Sequence, residues 1–305
     1  MPPNPEVLTV GETMALVVPA RAEPLADAVD FHVEPGGAES NVAAHLAALG
    51  RRAAWAGAVG DDPLGRRLLA QLAALGVDIG WARRDPGAPT GVYFKDPGDG
   101  VHYYRAGSAA SRLGPAAVAA LPIAGVRLLH LSGITPALSA SCDALVDALF
   151  DRAAAEGVPV SFDVNHRAAL WPSTAAAAER LLALARRAEL VFVGLDEAEG
   201  LWGTATPEAV RELLPEPARL IVKDGAVGAT AFEAGGTLHV PAIATTAVEV
   251  VGAGDAFAAG WIAAWLDGAD AAARLSAGHA RAVLTIAGTS DIPRHQRIDD
   301  ERNDG

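Results

Sequence analysis

Short apolar runs alternate with longer amphipathic runs through the second half of the chain, and this alternation predicts an α/β fold. The strand-like runs are LLHLSGI (128–134), VPVSFDV (158–164), LVFVG (190–194) and RLIVKDG (219–225). Between them, ALVDALFDRAAAEG and AAAAERLLALARRAE have the periodicity of amphipathic helices. Such βαβ units predict a central, mostly parallel sheet with helices on both faces.

Two segments break this alternation, at 13–33 and 90–105. Both have the pattern of strands without intervening helices, and the second contains the turn sequence DPGDG. We interpret the two segments as a small β-sheet that covers the functional site.

Composition narrows the class of protein. The 305 residues are 51% hydrophobic, which suits one large α/β domain with a small appendage. The excess of 37 acidic over 24 basic residues argues against a nucleic-acid or anionic-membrane surface. The single cysteine, Cys142, excludes a disulfide within the chain and fits a reducing cytoplasm. The N-terminal sequence does not resemble a signal peptide, and AFAAGWIAAWL is too short to span a bilayer, so we expect a soluble protein.

The run VGAGDAFAAG (251–260) is the first candidate for chemistry. Glycines before a helix allow close approach of a ligand, and the first amides of a helix have no intrahelical partner, so the run predicts an anion site. A carboxylate at Asp255 would repel a phosphate unless it had another task. Accepting the proton of the group that attacks the phosphate is such a task.

A second candidate is EPGGAESNVAAHLAALG, in which Gly36 and Gly37 precede a helix and Asn41 lies one turn into it. Glycines permit close contact with a polyol, and an asparagine can donate to and accept from its hydroxyls. A simple strand-to-helix turn, capped by Glu39 or Ser40, explains the pattern equally well.

In VHYYRAGSAAS, the period-2 rule places Tyr103 and Arg105 on one face of a strand, and Tyr93 of the preceding strand could join them. That face could meet a ligand, or it could be an edge strand with a solvated arginine.

The run SFDVNHRAALW places Asp163, Asn165, His166 and Arg167 at the carboxyl end of a buried strand, where open α/β sheets bind ligands. Capping explains Asp163 and Asn165, but the planar guanidinium of Arg167 matches a carboxylate or phosphate. His45 and His130 are predicted to be packed or surface groups, and no spacing indicates a metal cluster.

Together, GGAESNVAAHLAALG with AGAVGDDPLG, and VGAGDAFAAG further on, resemble the two signature regions of the ribokinase-like (PfkB) carbohydrate kinases. Within that family, PGGAESNVA, YYRAGSAAS, SGITPALS, DVNHRAALW and VFVGLDEAEGLWG are most similar to the 2-keto-3-deoxygluconate kinases. The resemblance implies a single kinase domain over 1–305 with a β-sheet lid, ATP and magnesium as cofactors, and phosphorylation of a terminal sugar hydroxyl.

The resemblance also implies roles for individual residues. Asp255 matches the general base, and the amides of Gly252, Ala253 and Gly254 match the anion hole. Sugar or sugar-acid positions are matched by Gly36, Gly37, Asn41, Tyr93, Tyr103, Arg105, Arg167 and Asp291. Nucleotide positions are matched by Asn165, Lys223, Gly225 and Gly228, and a magnesium position by Glu197.

Two positions depart from the family pattern. The usual Asn-x-x-Glu reads GLDE, so that Gly194 replaces the asparagine and only Glu197 remains. This change implies a different arrangement of water-mediated magnesium binding. Glu249 replaces an aspartate near a monovalent-cation site of some relatives, which leaves dependence on potassium open.

The hypothesis from sequence is a kinase that makes 2-keto-3-deoxy-6-phosphogluconate. A kinase for fructose, ribose, a nucleoside or 2-keto-3-deoxygalactonate is the nearer alternative, and a non-catalytic sugar sensor is the more distant one. A sensor would have no need for Asp255, so the intact GAGD favours an enzyme. Because the edges of the small sheet could pair two copies, we also expect a homo-oligomer.

Overall fold

The computed structural model describes residues 4–21, 23–245, 251–287 and 290–292. Fourteen strands and nine α-helices lie within these ranges. The strands are β1 (Val7–Val10), β2 (Met14–Pro19), β3 (Phe31–Gly36), β4 (Ala53–Ala56), β5 (Ala58–Gly60), β6 (Arg83–Asp85), β7 (Val92–Asp96), β8 (Gly100–Tyr104), β9 (Leu128–Ser132), β10 (Val160–Asp163), β11 (Leu190–Gly194), β12 (Arg219–Asp224), β13 (Gly228–Glu233) and β14 (Gly236–Pro241). The helices are α1 (Ala38–Ala48), α2 (Pro63–Ala74), α3 (Ile134–Ala137), α4 (Ala140–Glu156), α5 (Thr174–Ala185), α6 (Leu195–Trp202), α7 (Pro207–Leu213), α8 (Ala253–Leu266) and α9 (Ala271–Ile286).

The central sheet has eight strands in the order β14-β13-β12-β11-β10-β9-β1-β4. Neighbours from β12 to β4 are parallel, whereas β13 and β14 add an antiparallel hairpin at one edge. The four apolar runs of the sequence form β9 to β12, which confirms the predicted mostly parallel sheet.

The two faces of the central sheet pack into two separate cores. In β11, Val191 and Val193 pack with α4 to α7 on one face, while Leu190 and Phe192 pack with α1, α8 and α9 on the other. Phe192 meets Trp261 edge-on, with ring centroids 5.7 Å apart. Burying a side chain of this size contributes about 1.5–3 kcal/mol to stability. Coverage of both faces explains why these strands are mostly apolar and do not alternate between apolar and polar residues.

The helix ends follow from local sequence. Ser139 caps α4 by accepting a hydrogen bond from the Cys142 amide at 3.1 Å, and Gly157 ends the helix in the left-handed conformation. Asp62 caps α2 in the same way, with Pro63 in the first turn. In the described ranges, no helix combines the length and the apolar character needed to cross a bilayer.

A separate four-stranded sheet has the order β3-β2-β7-β8 and is built from the two segments that lacked helical periodicity. Its bounds differ slightly from those expected. β3 continues to Gly36, beyond the predicted end at 33, and β8 ends at Tyr104, so that Arg105 follows the strand. The chain turns there through Gly107, which has φ 72°.

Candidate active site

Two adjoining clefts lie at the carboxyl ends of the parallel strands. The inner cleft lies between the small sheet and α1, and the outer cleft lies between the ends of β10 to β12 and the start of α8. They enclose about 490 and 1320 Å³, including space open to solvent. Both are lined by Tyr103, Asn165, Arg167, Val251, Gly252 and Asp255. A ligand in one cleft can therefore meet a ligand in the other beside Asp255.

The start of α8 forms the wall between the clefts. Gly252 precedes the helix with φ 84°, a left-handed conformation that favours glycine. A Cβ atom on Gly252 would lie 3.2 Å from the Cα of Asp291, so the backbone is packed closely there. The first amides of α8 include those of Ala253 and Gly254; amides in the first turn have no acceptor within their own helix, and with the helix dipole they favour an anion.

Asp255 lies in the first turn of α8 and is only 8% exposed. Its Oδ2 accepts a hydrogen bond from Nδ2 of Asn41 at 2.9 Å. Burial raises the pKa of Asp255 to about 7; the bond from Asn41 opposes the rise, and the charge of Asp163 adds to it. A carboxyl group with a pKa near neutrality can accept a proton in catalysis.

The predicted glycines lie where the small sheet meets α1: Gly36 ends β3 and Gly37 precedes the helix. A Cβ on Gly36 would stand 1.9 Å from the hydroxyl of Tyr93, and one on Gly37 would stand 2.2 Å from the carbonyl of Glu12. Neither position has room for a side chain. Gly37 lines the inner cleft, whereas Gly36 lies behind it and shapes it through Tyr93.

Tyr93, Tyr103 and Arg105 come together on the inner face of the small sheet. The two tyrosine rings stack with centroids 5.5 Å apart, and the Arg105 guanidinium lies 4.3 Å from the centroid of Tyr103. Nη1 of Arg105 also donates to Oε2 of Glu12 at 2.9 Å. Arg105 is therefore already paired with a buried carboxylate, which the sequence did not predict.

Asp291 lies beneath this sheet and is 2% exposed. Its carboxylate accepts hydrogen bonds from the Tyr93 hydroxyl at 2.9 Å and from Lys95 Nζ at 2.7 Å. Burial and the charge of Asp291 raise the pKa of Tyr93 well above its ordinary value, so the phenol keeps its proton and donates. The small sheet and the core are thus joined by two bonds at one carboxylate.

Arg167 reaches both clefts and is exposed to solvent. Its only hydrogen bond among the described residues is a long one, 3.4 Å, to the carbonyl of the preceding His166. Within the described part of the chain it forms no ion pair, in contrast to Arg105 and Lys95. Arg167 is the cation at this site that is available to an anionic ligand.

The outer cleft holds a chain of charged groups at the strand ends. Lys223 Nζ lies 2.9 Å from Oδ2 of Asp163, and both line the cleft with Glu197. Burial lowers the pKa of Lys223, but the carboxylates of Asp163 and Glu197 outweigh burial and raise it. Lys223 is therefore a permanent cation that faces the cleft.

The residues present fit a nucleotide with a magnesium ion. Asp163, Asn165 and Glu197 offer oxygen atoms, which magnesium prefers, and Oδ1 of Asn165 is buried without a partner in the described structure. Glu197 already accepts from the amides of Gly194 and His166, at 2.9 and 3.0 Å, which suits a ligand that acts through water.

The remaining predicted positions have the following places. Gly225 and Gly228 line the outer cleft on either side of the turn into β13, and a Cβ on Gly228 would lie 2.4 Å from the carbonyl of Val240. Gly194 also lines the outer cleft, where the family pattern would place an asparagine side chain. Glu249, the second departure from that pattern, lies outside the described residues.

Sequence reasoning missed Lys95 and Glu12. Lys95 lies two residues after Tyr93 in β7, so the period-2 rule places both on one face and could have identified it. Glu12 follows the end of β1 and is 1% exposed. Burial raises its pKa to about 7, although the charge of Arg105 opposes the rise. An acidic residue at or just beyond the carboxyl end of a central strand indicates a candidate site residue, and this pattern could have identified Glu12 as it did Asp163.

A polar group away from the clefts also escaped the sequence. Asp96, Asp99 and His102 bring ligand-type atoms within 4.8 Å of one another at the tip of the β7–β8 hairpin. Asp96 accepts from the Leu25 amide at 2.8 Å, so the group ties the hairpin tip to the loop before β3.

Comparison with known protein families identifies the family of this chain. Residues 4–296 match the pfkB family carbohydrate kinases. The chain belongs to the pfkB family of carbohydrate kinases. As a member of this family it is a phosphotransferase that uses ATP and a sugar substrate.

Several pfkB relatives align over nearly the whole chain. A 2-dehydro-3-deoxygluconokinase of Bacillus subtilis is 35% identical over 297 residues, covering 94% of this chain and 91% of the relative. Another, of Thermoproteus tenax, is 33% identical over 296 residues, covering 93% and 89%. A 2-dehydro-3-deoxygalactonokinase of Haloferax volcanii is 32% identical over 293 residues, covering 92% and 90%.

Solved pfkB structures match the same architecture. A PfkB protein of Polaromonas sp. JS666 superposes with a TM-score of 0.87 at 37% identity, covering 94% of this chain and 97% of that one. An E. coli protein described as a putative ribokinase II, solved with ATP and Mg²⁺, superposes with a TM-score of 0.86 at 25% identity, covering 95% of each chain. The prediction of a PfkB carbohydrate kinase is confirmed.

Proposed function

We propose that this carbohydrate kinase phosphorylates 2-keto-3-deoxygluconate (2-dehydro-3-deoxygluconate) on its terminal hydroxyl, giving 2-keto-3-deoxy-6-phosphogluconate. The observation that carries the proposal is Arg167, a cation without an ion-pair partner among the described residues, at the junction of the two clefts. The names of the relatives at 33% and 35% identity support the same substrate.

The charges of the inner cleft explain why Arg167 matters. Lys95 is paired with Asp291 and Arg105 with Glu12, so these two pairs leave little net charge. A neutral sugar would offer Arg167 no anionic group in the inner cleft, whereas a sugar acid would supply the carboxylate that its planar guanidinium matches. Arg105 also favours a sugar acid, because its Nε is buried without a partner in the described structure and could donate to the carboxylate.

Asp255 has the position for proton transfer. In the proposal, its carboxylate accepts the proton of the substrate hydroxyl as that oxygen forms a bond to the γ-phosphorus of ATP. The bond from the γ-phosphorus to the bridging oxygen breaks, and ADP leaves. Asn41 holds Asp255 by its 2.9 Å hydrogen bond, and the amides at the start of α8 stabilise the charge on the transferred group.

Asp163, Asn165 and Glu197 would hold magnesium in the outer cleft, and Lys223 would neutralise phosphate charge there. When bound, the metal supplies charge neutralisation on the phosphate oxygens. Gly225 and Gly228 would let the nucleotide approach the backbone closely. The need for ATP fits a cytoplasmic enzyme.

The small sheet would serve as a lid within a single kinase domain. Its inner face presents Tyr93 and Tyr103 to the substrate cleft, and Lys95 on the same face binds Asp291. Its outer face carries Tyr104, which is 68% exposed and meets Phe94 edge-on. An exposed tyrosine on the edge strand β8, packed on the half-buried Phe94, suits contact with a second copy of the chain.

Sedimentation velocity tests that contact. We expect a homodimer, and we expect Tyr104→Glu to shift the protein to monomer at the same concentration without lowering its melting temperature. An exclusively monomeric parent would remove the dimer from the proposal.

The substrate assignment is tested by ATP consumption over a panel of 2-keto-3-deoxy sugar acids and neutral sugars. Because only the acids offer a carboxylate to Arg167, we expect kcat/KM for 2-keto-3-deoxygluconate to exceed that for fructose or ribose by about 10² or more.

The same assay in excess chelator is the control, and it should show no transfer because magnesium neutralises the phosphate charge. A parent enzyme that prefers a neutral sugar would refute the sugar-acid assignment. 2-Keto-3-deoxygalactonate is the second candidate, since a relative of 32% identity bears that name and the two acids offer the same carboxylate.

A further inference from the structure

His45 is a buried histidine that the proposed chemistry does not use. It lies on α1, one turn after Asn41, and is 0% exposed. Residues four apart lie on the same face of a helix. Asn41 points to Asp255, and His45 points to Asp291, so one face of α1 reaches both carboxylate-bearing residues of the inner cleft.

The hydrogen bonds of His45 define its tautomer. Nε of Arg281 can only donate, and it lies 2.9 Å from Nδ1 of His45, so Nδ1 must accept. The proton therefore resides on Nε2, which donates to the main-chain carbonyl of Asp291 at 3.1 Å. Burial and the charge of Arg281 lower the pKa of His45 to about 3, so the ring stays neutral at physiological pH.

Arg281 is itself held in place by helix packing. A Cβ atom on Gly260 of α8 would lie 2.9 Å from the Cβ of Arg281, so α8 and α9 meet closely at this point. The series of hydrogen bonds from Arg281 through His45 to Asp291 is therefore anchored in the core at its Arg281 end. At the other end, the Asp291 carboxylate meets Tyr93 and Lys95 of the small sheet.

We propose that His45, oriented by Arg281, is a positioning residue that fixes Asp291 from the core side and so sets the affinity of the inner cleft for sugar. The inference rests on the substrate role proposed for Asp291. Asp291 lines the inner cleft and does not line the outer one, so the effect falls on the sugar and not on ATP.

Two substitutions separate positioning from packing. In His45→Gln, the amide nitrogen occupies the place of Nε2 and can still donate to Asp291. In His45→Asn, the shorter side chain can accept from Arg281 but does not reach Asp291. We expect His45→Asn to raise KM for the sugar about 10-fold, the usual effect of losing one buried hydrogen bond, with KM for ATP unchanged. His45→Gln should stay within about twofold of the parent.

His130→Asn is the matched control. His130 is also a buried histidine, 1% exposed, but it bonds Ser161 within the central sheet. Melting temperatures report any loss of stability in each variant. Equal rises in KM for His45→Asn, His45→Gln and His130→Asn would assign the effect to packing and overturn the proposal.

A double-mutant cycle completes the test, with sugar affinity measured by calorimetry so that slow variants remain measurable. If His45 acts through Asp291, His45→Asn should weaken binding in the parent and add nothing in the Asp291→Ala background. Equal weakening in both backgrounds would overturn the proposal. Should the parent prefer a neutral sugar, the same cycle with that sugar tests His45 after the sugar-acid assignment has failed.

Discussion

Asp255→Asn should lower kcat by about 10² to 10⁴ while leaving the affinities for sugar and ATP close to those of the parent. The amide retains the shape of the carboxyl group and can still accept the hydrogen bond that Asn41 donates at 2.9 Å. It cannot accept the proton of the substrate hydroxyl. A variant with near-normal turnover would exclude Asp255 as the base.

The pH profile adds a second measurement on the same variant. Burial raises the pKa of Asp255 to about 7, and the active form is the ionised one. The parent should therefore lose kcat/KM as the pH falls below about 7, and this limb should be absent from the residual activity of Asp255→Asn.

Stability is the control for Asp255→Asn. Because the folded-state pKa lies above the ordinary value of 3.8, folding disfavours the ionised form, and this carboxyl group destabilises the fold as the pH rises from about 4 to above 7. The uncharged side-chain amide of the Asp255→Asn variant does not carry this cost of burying a negative charge. The melting temperature of the variant at pH 8 should equal or exceed that of the parent, so a loss of kcat cannot be assigned to unfolding.

Arg167→Ala should lower kcat/KM for 2-keto-3-deoxygluconate by about 10² or more, because a bidentate, charge-assisted contact with the substrate carboxylate is lost. For fructose, which has no carboxylate, the parent should be poor and the variant little changed. The decisive quantity is the ratio of the two kcat/KM values. An unchanged ratio would show that Arg167 does not contribute to substrate recognition.

Arg167 also affects the pKa of Asp255, so its substitution changes both substrate recognition and the ionisation of the base. Its positive charge lowers the pKa of Asp255, so its removal should raise that pKa and shift the acid limb upward. Measurement above pH 8, where Asp255 is ionised in both proteins, isolates substrate recognition. Arg167→Lys keeps the charge but loses the planar guanidinium, and should fall between parent and alanine variant. Arg186→Ala, a surface change at a residue paired with Glu216, is the control.

The sequence predicted those parts of the fold that depend on local pattern. The runs of β9 to β12 are mostly apolar because helices cover both faces, and that signal is local. The hairpin of β13 and β14 was not predicted. Gly228, assigned to a nucleotide loop, is also the first residue of β13, so one glycine served both turn and strand.

Within the site, sequence placed the strand-end and helix-start residues near one another but could not supply their partners. The ion pair of Arg105 with Glu12 joins residues 93 positions apart, and that of Lys95 with Asp291 joins residues 196 apart. Such pairs depend on how distant segments meet, which no local pattern encodes. His45 was predicted to be packed or at the surface; its bond to Asp291 needed the tertiary structure.

The small sheet is not a self-contained hairpin unit. β2 and β7 are parallel neighbours, and parallel neighbours require a long connection, which here contains β3, α1, β4, β5, α2 and β6. The same stretch of chain supplies part of the central sheet and the helix that carries Asn41 and His45. An exchange of the small sheet between relatives would therefore have to include these elements as well. We expect substrate preference in this chain to change through single substitutions, on the inner face of the sheet or beside the central sheet, as at Arg167, and not through exchange of the small sheet alone.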